Sequence, residues 1–238
     1  MADPARSFVV TQRSATETAT RAMLISVHIP KCAGTSFRHI LQALYGDRLW
    51  LNYGQVFVRE QAHPGLVPTG TDCIHGHFFA DAFDGLFPER QLITWVRHPV
   101  ERVVSNYHHF LRSPDLRDDC CRALLENNLS LLEFAELDWM RNEATRYLAG
   151  KDLSDLAFVG IAERFLESLH LFGTLLGQAA PLPAPRVNVN PARRTPSYPI
   201  SRAEFDDILA LNASDHAWYL RACTQLNTAM PHRRPRAA

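Results

Sequence analysis

Met23-Leu24-Ile25-Ser26-Val27-His28-Ile29-Pro30-Lys31-Cys32-Ala33-Gly34-Thr35-Ser36 joins an uncharged apolar run to a polar stretch that contains a lysine and a glycine. Downstream of it, Phe37, Ile40, Leu41, Leu44 and Tyr45 recur at helical spacing. The segment therefore predicts a buried strand, a loop and a helix over 23–45, with Gly46 closing the helix. Gly34, Thr35 and Ser36 then occupy a helix start, where backbone N–H groups lack intrahelical partners and the dipole is positive. Such a place binds phosphate or sulfate, and Lys31 adds a full charge nearby. The stretch reads as an anion cradle.

Three further apolar runs predict strands, 73–79 running into a loop, 91–96, and 157–161, with a shorter one within 48–53. Between and after them, helical spacing marks 99–111, 121–126, 131–137, 143–148 (closed by Gly150), 163–176, 201–211 and 214–229. Strands alternating with helices imply an α/β fold with a mostly parallel central sheet and a helical C-terminal part. Ligands in such sheets bind at the carboxyl ends of the strands. The 28–36 loop, the 75–79 segment and Arg97 all fall at such ends, so they are candidates for one site. The rest of 47–72 is irregular, with turn signals at Pro64-Gly65 and Pro68-Thr69-Gly70.

Residues 1–21 are polar and read as a disordered tail, 22–230 as one domain, and 231–238 as a basic C-terminal tail. The 178–199 segment is a Pro-rich loop carrying Arg186, Asn188, Asn190, Arg193 and Arg194. Acidic and basic residues balance at 25 each, which supplies no overall field for nucleic acid and makes any anion site local. The five cysteines, Cys32, Cys73, Cys120, Cys121 and Cys223, show neither a disulfide framework nor metal spacing. Reduced thiols, no run of membrane-spanning length and no signal-peptide pattern lead to an expected cytoplasmic location. Oligomeric state is not legible.

The cradle lacks the Gly-x-x-x-x-Gly-Lys-Ser/Thr order, because Lys31 precedes Gly34, which disfavours nucleoside triphosphate hydrolysis. A second stretch, Arg97-His98-Pro99-Val100-Glu101-Arg102-Val103-Val104-Ser105-Asn106-Tyr107, sets an arginine at a strand end and a serine two helical turns beyond it. Together they can clamp a second phosphate by charge and hydrogen bond.

At these residues the sequence resembles the sulfotransferases that use 3′-phosphoadenosine 5′-phosphosulfate (PAPS). Pro30-Lys31-Cys32-Ala33-Gly34-Thr35-Ser36 is similar to their 5′-phosphosulfate loop, and Arg97-x-Pro99-x-x-Arg102-x-x-Ser105-x-Tyr107 to their 3′-phosphate motif. His28-Ile29-Pro30-Lys31 looks more like the Golgi-type carbohydrate branch, including the heparan sulfate 2-O group, and its bacterial relatives. Weaker echoes occur at Asn142-x-x-Thr145-Arg146-Tyr147-Leu148-x-Gly150 and Val159-Gly160-Ile161-x-Glu163-Arg164-Phe165.

The resemblance implies a P-loop-type three-layer α/β/α sandwich. It also implies PAPS bound by the backbone of Ala33, Gly34, Thr35 and Ser36, Lys31 at the bridging oxygen, and Arg97 with Ser105 on the 3′-phosphate. A lysine there stabilises charge on the leaving oxygen, so no metal is expected. His75-Gly76-His77 resembles a His-x-His element of the 2-O type enzymes. His77 is favoured as general base and His75 as its helper or an acceptor contact, with a structural histidine pair as the alternative. Zinc on this pair with His108 or His109 lacks a recognised spacing. Cys32 either is activated by the helix dipole or contributes only its backbone. Arg193 and Arg194 either reach the ligands or are solvated.

The expected activity is transfer of a sulfuryl group from PAPS to a hydroxyl of a carbohydrate or glycoconjugate. Alternatives are a protein, lipid or natural-product hydroxyl, or nucleotide binding without turnover.

Overall fold

The computed structural model describes residues 22–183 and 199–230. The expected N-terminal tail, residues 184–198 of the Pro-rich loop with Arg186, Asn188, Asn190, Arg193 and Arg194, and the basic C-terminal tail lie outside the described residues.

Five strands form one parallel sheet: β1 Met23–Val27, β2 Leu49–Asn52, β3 Cys73–Gly76, β4 Arg90–Val96 and β5 Phe158–Ile161. Their spatial order is β2-β3-β1-β4-β5, so the strand of the opening stretch is central. Leu24 to Val27 of β1 and Leu92 to Val96 of β4 are each buried without interruption. Successive strand residues face opposite sides, so such runs require cover on both faces of the sheet. This is the P-loop-type α/β arrangement that the resemblance implies.

Helix α1, Gly34–Tyr45, follows β1 and buries Phe37, Ile40, Leu41 and Tyr45 at the predicted spacing. Helix α2, Pro99–Arg112, follows β4, with proline in its first turn, where no N–H is required. Next come α3 Asp119–Glu126, α4 Leu131–Glu136, α5 Glu143–Leu148, α6 Phe165–Leu175, α7 Arg202–Leu211 and α8 Ala213–Ala229. Two helix starts differ from the sequence reading by two residues. Asp118 accepts the N–H groups of Cys120 and Cys121, starting α3 two residues early. Residues 162–164 form a 3-10 turn, delaying α6 to Phe165.

The sheet, α1, α6 and α8 share one apolar core, while α2, α3, α4 and α7 enclose a second around Val103, Phe134 and Ile208. The two are tied together at Arg102, which is fully buried. Its guanidinium pairs with Glu143, donates to Met140 O at 2.7 Å and Asn212 Oδ1 at 3.3 Å, and has Asp215 Oδ2 4.0 Å from Nε.

Beside it, two helix starts cap each other. Asp215 of α8 accepts the N–H groups of Ala144 and Thr145 at 3.0 and 2.8 Å, and Asn142 before α5 accepts those of Ser214 and Asp215 at 3.0 and 3.2 Å. The segment 142–150, a faint echo in sequence, is thus a structural joint.

Removing one partner of a buried ion pair strands the other. Arg102→Met is accordingly expected to lower the unfolding free energy by about 3–5 kcal/mol, read by denaturant titration. Arg102→Met combined with Glu143→Leu is expected to recover much of that loss.

Candidate functional site

All five strands are parallel, so their carboxyl ends open on one edge of the sheet. Read in sheet order, that edge carries Tyr53 after β2, His77 after β3, His28 and Lys31 after β1, Arg97 after β4 and Glu163 after β5. The three sequence candidates at strand ends therefore converge, with the lysine loop in the middle.

The loop after β1 has an unusual backbone. Lys31 and Ala33 both adopt φ of 64°, a left-handed conformation that L side chains disfavour. Helical hydrogen bonding begins only at the Phe37 N–H, which donates to Ala33 O at 3.1 Å. The N–H groups of Gly34, Thr35 and Ser36 precede that bond, and the first turn of α1 contains no acidic residue to compete for them. These features fit an anionic group at the helix start.

Gly34 has a second reason to lack a side chain. A Cβ there would fall 1.9 Å from His28 Cδ2, inside the imidazole. Half-buried Lys31 has its ammonium pKa lowered to about 8 by burial and then by the Arg97 and Arg112 charges. Cys32 is buried, which pushes its thiol up and removes the dipole-activated reading.

On one side of the loop stands a histidine cluster. His28 stacks on His77 at 4.4 Å and on His75 at 5.2 Å between ring centroids. Tyr53 meets the His28 and His77 rings edge-on, and its hydroxyl lies 2.9 Å from His28 Nδ1. His77 Nδ1 is 2.7 Å from the carbonyl oxygen of His28. A carbonyl only accepts, so Nδ1 carries the proton and Nε2 the lone pair. Burial lowers the His77 pKa, which favours the neutral ring.

His75 is different: it is 1% exposed, and its Nδ1 lies 2.9 Å from Ser26 Oγ beneath the sheet end. Its ring is closed off from solvent and stacks on His28. The rings stack face to face, and among the described residues no group of three or more His, Cys, Asp or Glu forms a metal site.

On the other side stands Arg97. Its Nη2 donates to Glu101 Oε2 at 3.1 Å, its Nη1 donates to Lys31 O at 3.3 Å, and its Nε lies 3.9 Å from Glu163 Oε1. Within α2, Glu101 and half-buried Ser105 are four residues apart, so Ser105 shares the helix side of the carboxylate that engages Arg97. Arg102, part of the same sequence motif, points into the core instead.

Sequence reasoning missed three participants. His28 and Tyr53 belong to the cluster, and Glu163 to the Arg97 environment. His28 is flagged in hindsight by the glycine it requires at position 34; Tyr53 and Glu163 lie far away in sequence and are joined to the site only through sheet order.

Fold and edge together define a parallel α/β protein whose lysine loop lies between a histidine cluster and an arginine. The chain belongs to the sulfotransferase family, whose sequence model matches residues 15–198. Comparison with curated protein sequences returns no match. Among solved structures it is similar to a sulfotransferase from Alicyclobacillus acidocaldarius, at 15% identity and a TM-score of 0.48 over 87% of this chain and 96% of that one. It is also similar to mouse sulfotransferase SULT7A1 complexed with PAP, at 14% identity and a TM-score of 0.40 over 83% and 66%. Among the described residues no helix is long and apolar enough to cross a membrane.

Burial lowers the His75 pKa to about 3, whereas the same ring in the unfolded chain titrates near ~6.5. Between those values the unfolded state binds the extra proton, so stability falls as the pH falls. At pH 5 this linkage amounts to ~2 kcal/mol from His75 alone. His75→Asn is expected to lose less stability than the parent between pH 7 and pH 5, measured by urea denaturation at both.

Proposed function

We propose that the protein transfers the sulfuryl group of PAPS to a hydroxyl of a carbohydrate or glycoconjugate. The observation that carries this reading is the order along the sheet edge. A neutral histidine with its lone pair on Nε2 stands on one side of the lysine loop, and an arginine on the other. Membership of the sulfotransferase family supports the reaction class.

In this reading the N–H groups at the start of α1, from Ala33 to Ser36, hold the 5′-phosphosulfate, and Arg97 with Ser105 holds the 3′-phosphate. His77 Nε2 takes the proton of the acceptor hydroxyl. The acceptor oxygen forms its bond to sulfur while the bond from sulfur to the bridging oxygen breaks. Lys31 meets the charge developing on that oxygen, and 3′-phosphoadenosine 5′-phosphate leaves. Lys31, in the loop after β1, and His77, after the neighbouring β3, thus act on opposite ends of an in-line transfer. His75, locked on Ser26, acts through the stack as a helper. The carbohydrate acceptor rests on the likeness of His75-Gly76-His77 to the heparan sulfate 2-O branch. A labelled-PAPS transfer screen over glycans, peptides, lipids and small phenols tests it; sulfation confined to a non-carbohydrate class would overturn that part.

Lys31→Ala and Arg97→Ala are each expected to weaken binding of 3′-phosphoadenosine 5′-phosphate by about tenfold or more, the size of one lost hydrogen bond between charged groups. Calorimetry that finds this nucleotide bound no better than AMP would sink the donor assignment. The anion favours protonated Lys31, whose pKa in the free protein is about 8. Affinity should therefore decline as the pH rises through 8, up to about tenfold per unit, and Lys31→Arg should flatten the decline.

His77→Ala should abolish transfer while changing nucleotide affinity by no more than about twofold, since its proposed partner is the acceptor. Unchanged turnover would move the base elsewhere.

A further inference from the structure

Glu163 lies in the turn after β5 and gathers three elements on one carboxylate. Its Oε1 accepts the N–H of His98 at 2.9 Å and lies 3.9 Å from Arg97 Nε, while its Oε2 accepts from Tyr219 Oη of α8 at 3.3 Å. His98 is the residue immediately before α2, and its own side chain caps nothing. Glu163 thus serves as the cap that α2 lacks, supplied from across the sheet edge, where negative charge also suits the helix dipole.

The surroundings of Arg97 complete the picture. Glu101 engages Nη2, the Lys31 carbonyl engages Nη1, and Glu163 faces Nε. Every guanidinium nitrogen has an assigned neighbour, yet one N–H on each terminal nitrogen remains outside these contacts. Two of the three neighbours are carboxylates. A carboxylate close to an anion-binding arginine either orients it or competes with the anion. Orientation is the better account, because the same carboxylate also holds the backbone from which α2 departs. One group thereby sets both the direction of Arg97 and the start of the helix that presents Ser105.

We propose that Glu163 is a positioning residue that sets the geometry between Arg97 and α2, and so the selectivity for a 3′-phosphorylated nucleotide. This rests on the reading that Arg97 and Ser105 hold the 3′-phosphate. Among the described contacts Glu163 bonds neither the loop 31–36 nor the histidine cluster, and it reaches the loop only through Arg97, which donates to Lys31 O.

The experiment is calorimetric titration of the full chain with 3′-phosphoadenosine 5′-phosphate and with AMP, which lacks the 3′-phosphate. Glu163→Ala is expected to weaken the former by about tenfold and the latter by no more than about twofold, consistent with loss of hydrogen bonding at a charged group. A merely structural role would weaken both alike.

Glu163→Gln keeps an acceptor for the His98 N–H but not the charge facing Arg97. Selective loss in Ala that Gln restores puts the effect at the helix start, and selective loss in both puts it at the guanidinium; either supports the proposal. Equal loss for the two nucleotides, no loss, or tighter binding of the 3′-phosphorylated one in Glu163→Ala overturns it. If thermal unfolding shows Glu163→Ala to be misfolded, Glu163→Gln decides alone, selective loss supporting the proposal and any other result overturning it. Parent protein that binds the two nucleotides equally overturns the Arg97 reading itself, whatever the variants do.

Discussion

The His28 ring lies against Gly34 with no room for a methyl group between them. That contact joins the end of β1 to the start of α1 across a loop whose Lys31 and Ala33 are both left-handed. Conformations of this kind cost of order 1–3 kcal/mol each and persist only where the surroundings over-determine them. Here β1 is held at the sheet centre on both sides, Thr94 Oγ1 donates to Val27 O at 3.0 Å, and the His28 N–H donates to Gly76 O at 2.8 Å. The ring is in turn held by Tyr53 and by its stack with His77. The Lys31 loop and the histidine cluster are therefore one mechanical unit.

The other half of the edge is organised by charge. Arg97 and Arg102 stand five residues apart, and their environments differ completely. Arg102 is sealed among Glu143, Asp215, Asn212 and the Met140 carbonyl, where it links the two apolar cores. Arg97 stays at the sheet edge between Glu101 and Glu163, reaching the Lys31 carbonyl. Position in the chain separates them: Arg97 lies between the end of β4 and the start of α2, while Arg102 lies inside α2 on the side that buries Val103 and Asn106. One arginine carries the fold and the other faces the site.

Much of the architecture was legible in the sequence, because strands covered on both faces leave short uncharged runs and helices leave a 3.6-residue period. The runs at 23–27, 91–96 and 157–161 and the spacing through 34–45 and 99–111 show this directly. The edge strand β2 was faint, since three of its four residues are only half-buried and its composition carries less signal. The starts of α3 and α6 shifted because a side-chain cap at Asp118 and a 3-10 turn at 162–164 override periodicity.

By itself the sequence determined which local segments could hold an anion: the Lys31 to Ser36 loop, Arg97 with Ser105, and the paired His75 and His77. Their chemistry depends on residue type and short spacing, which a linear reading preserves. Tertiary structure decided everything that depends on strand order. It set His28 and Tyr53 beside His77, buried His75 on Ser26, brought Glu163 to Arg97 and made Asn142 and Asp215 cap each other's helices. Those partners lie from 24 to 73 residues apart in the chain. Only the pairing of β2, β3, β1, β4 and β5 in that order makes them neighbours.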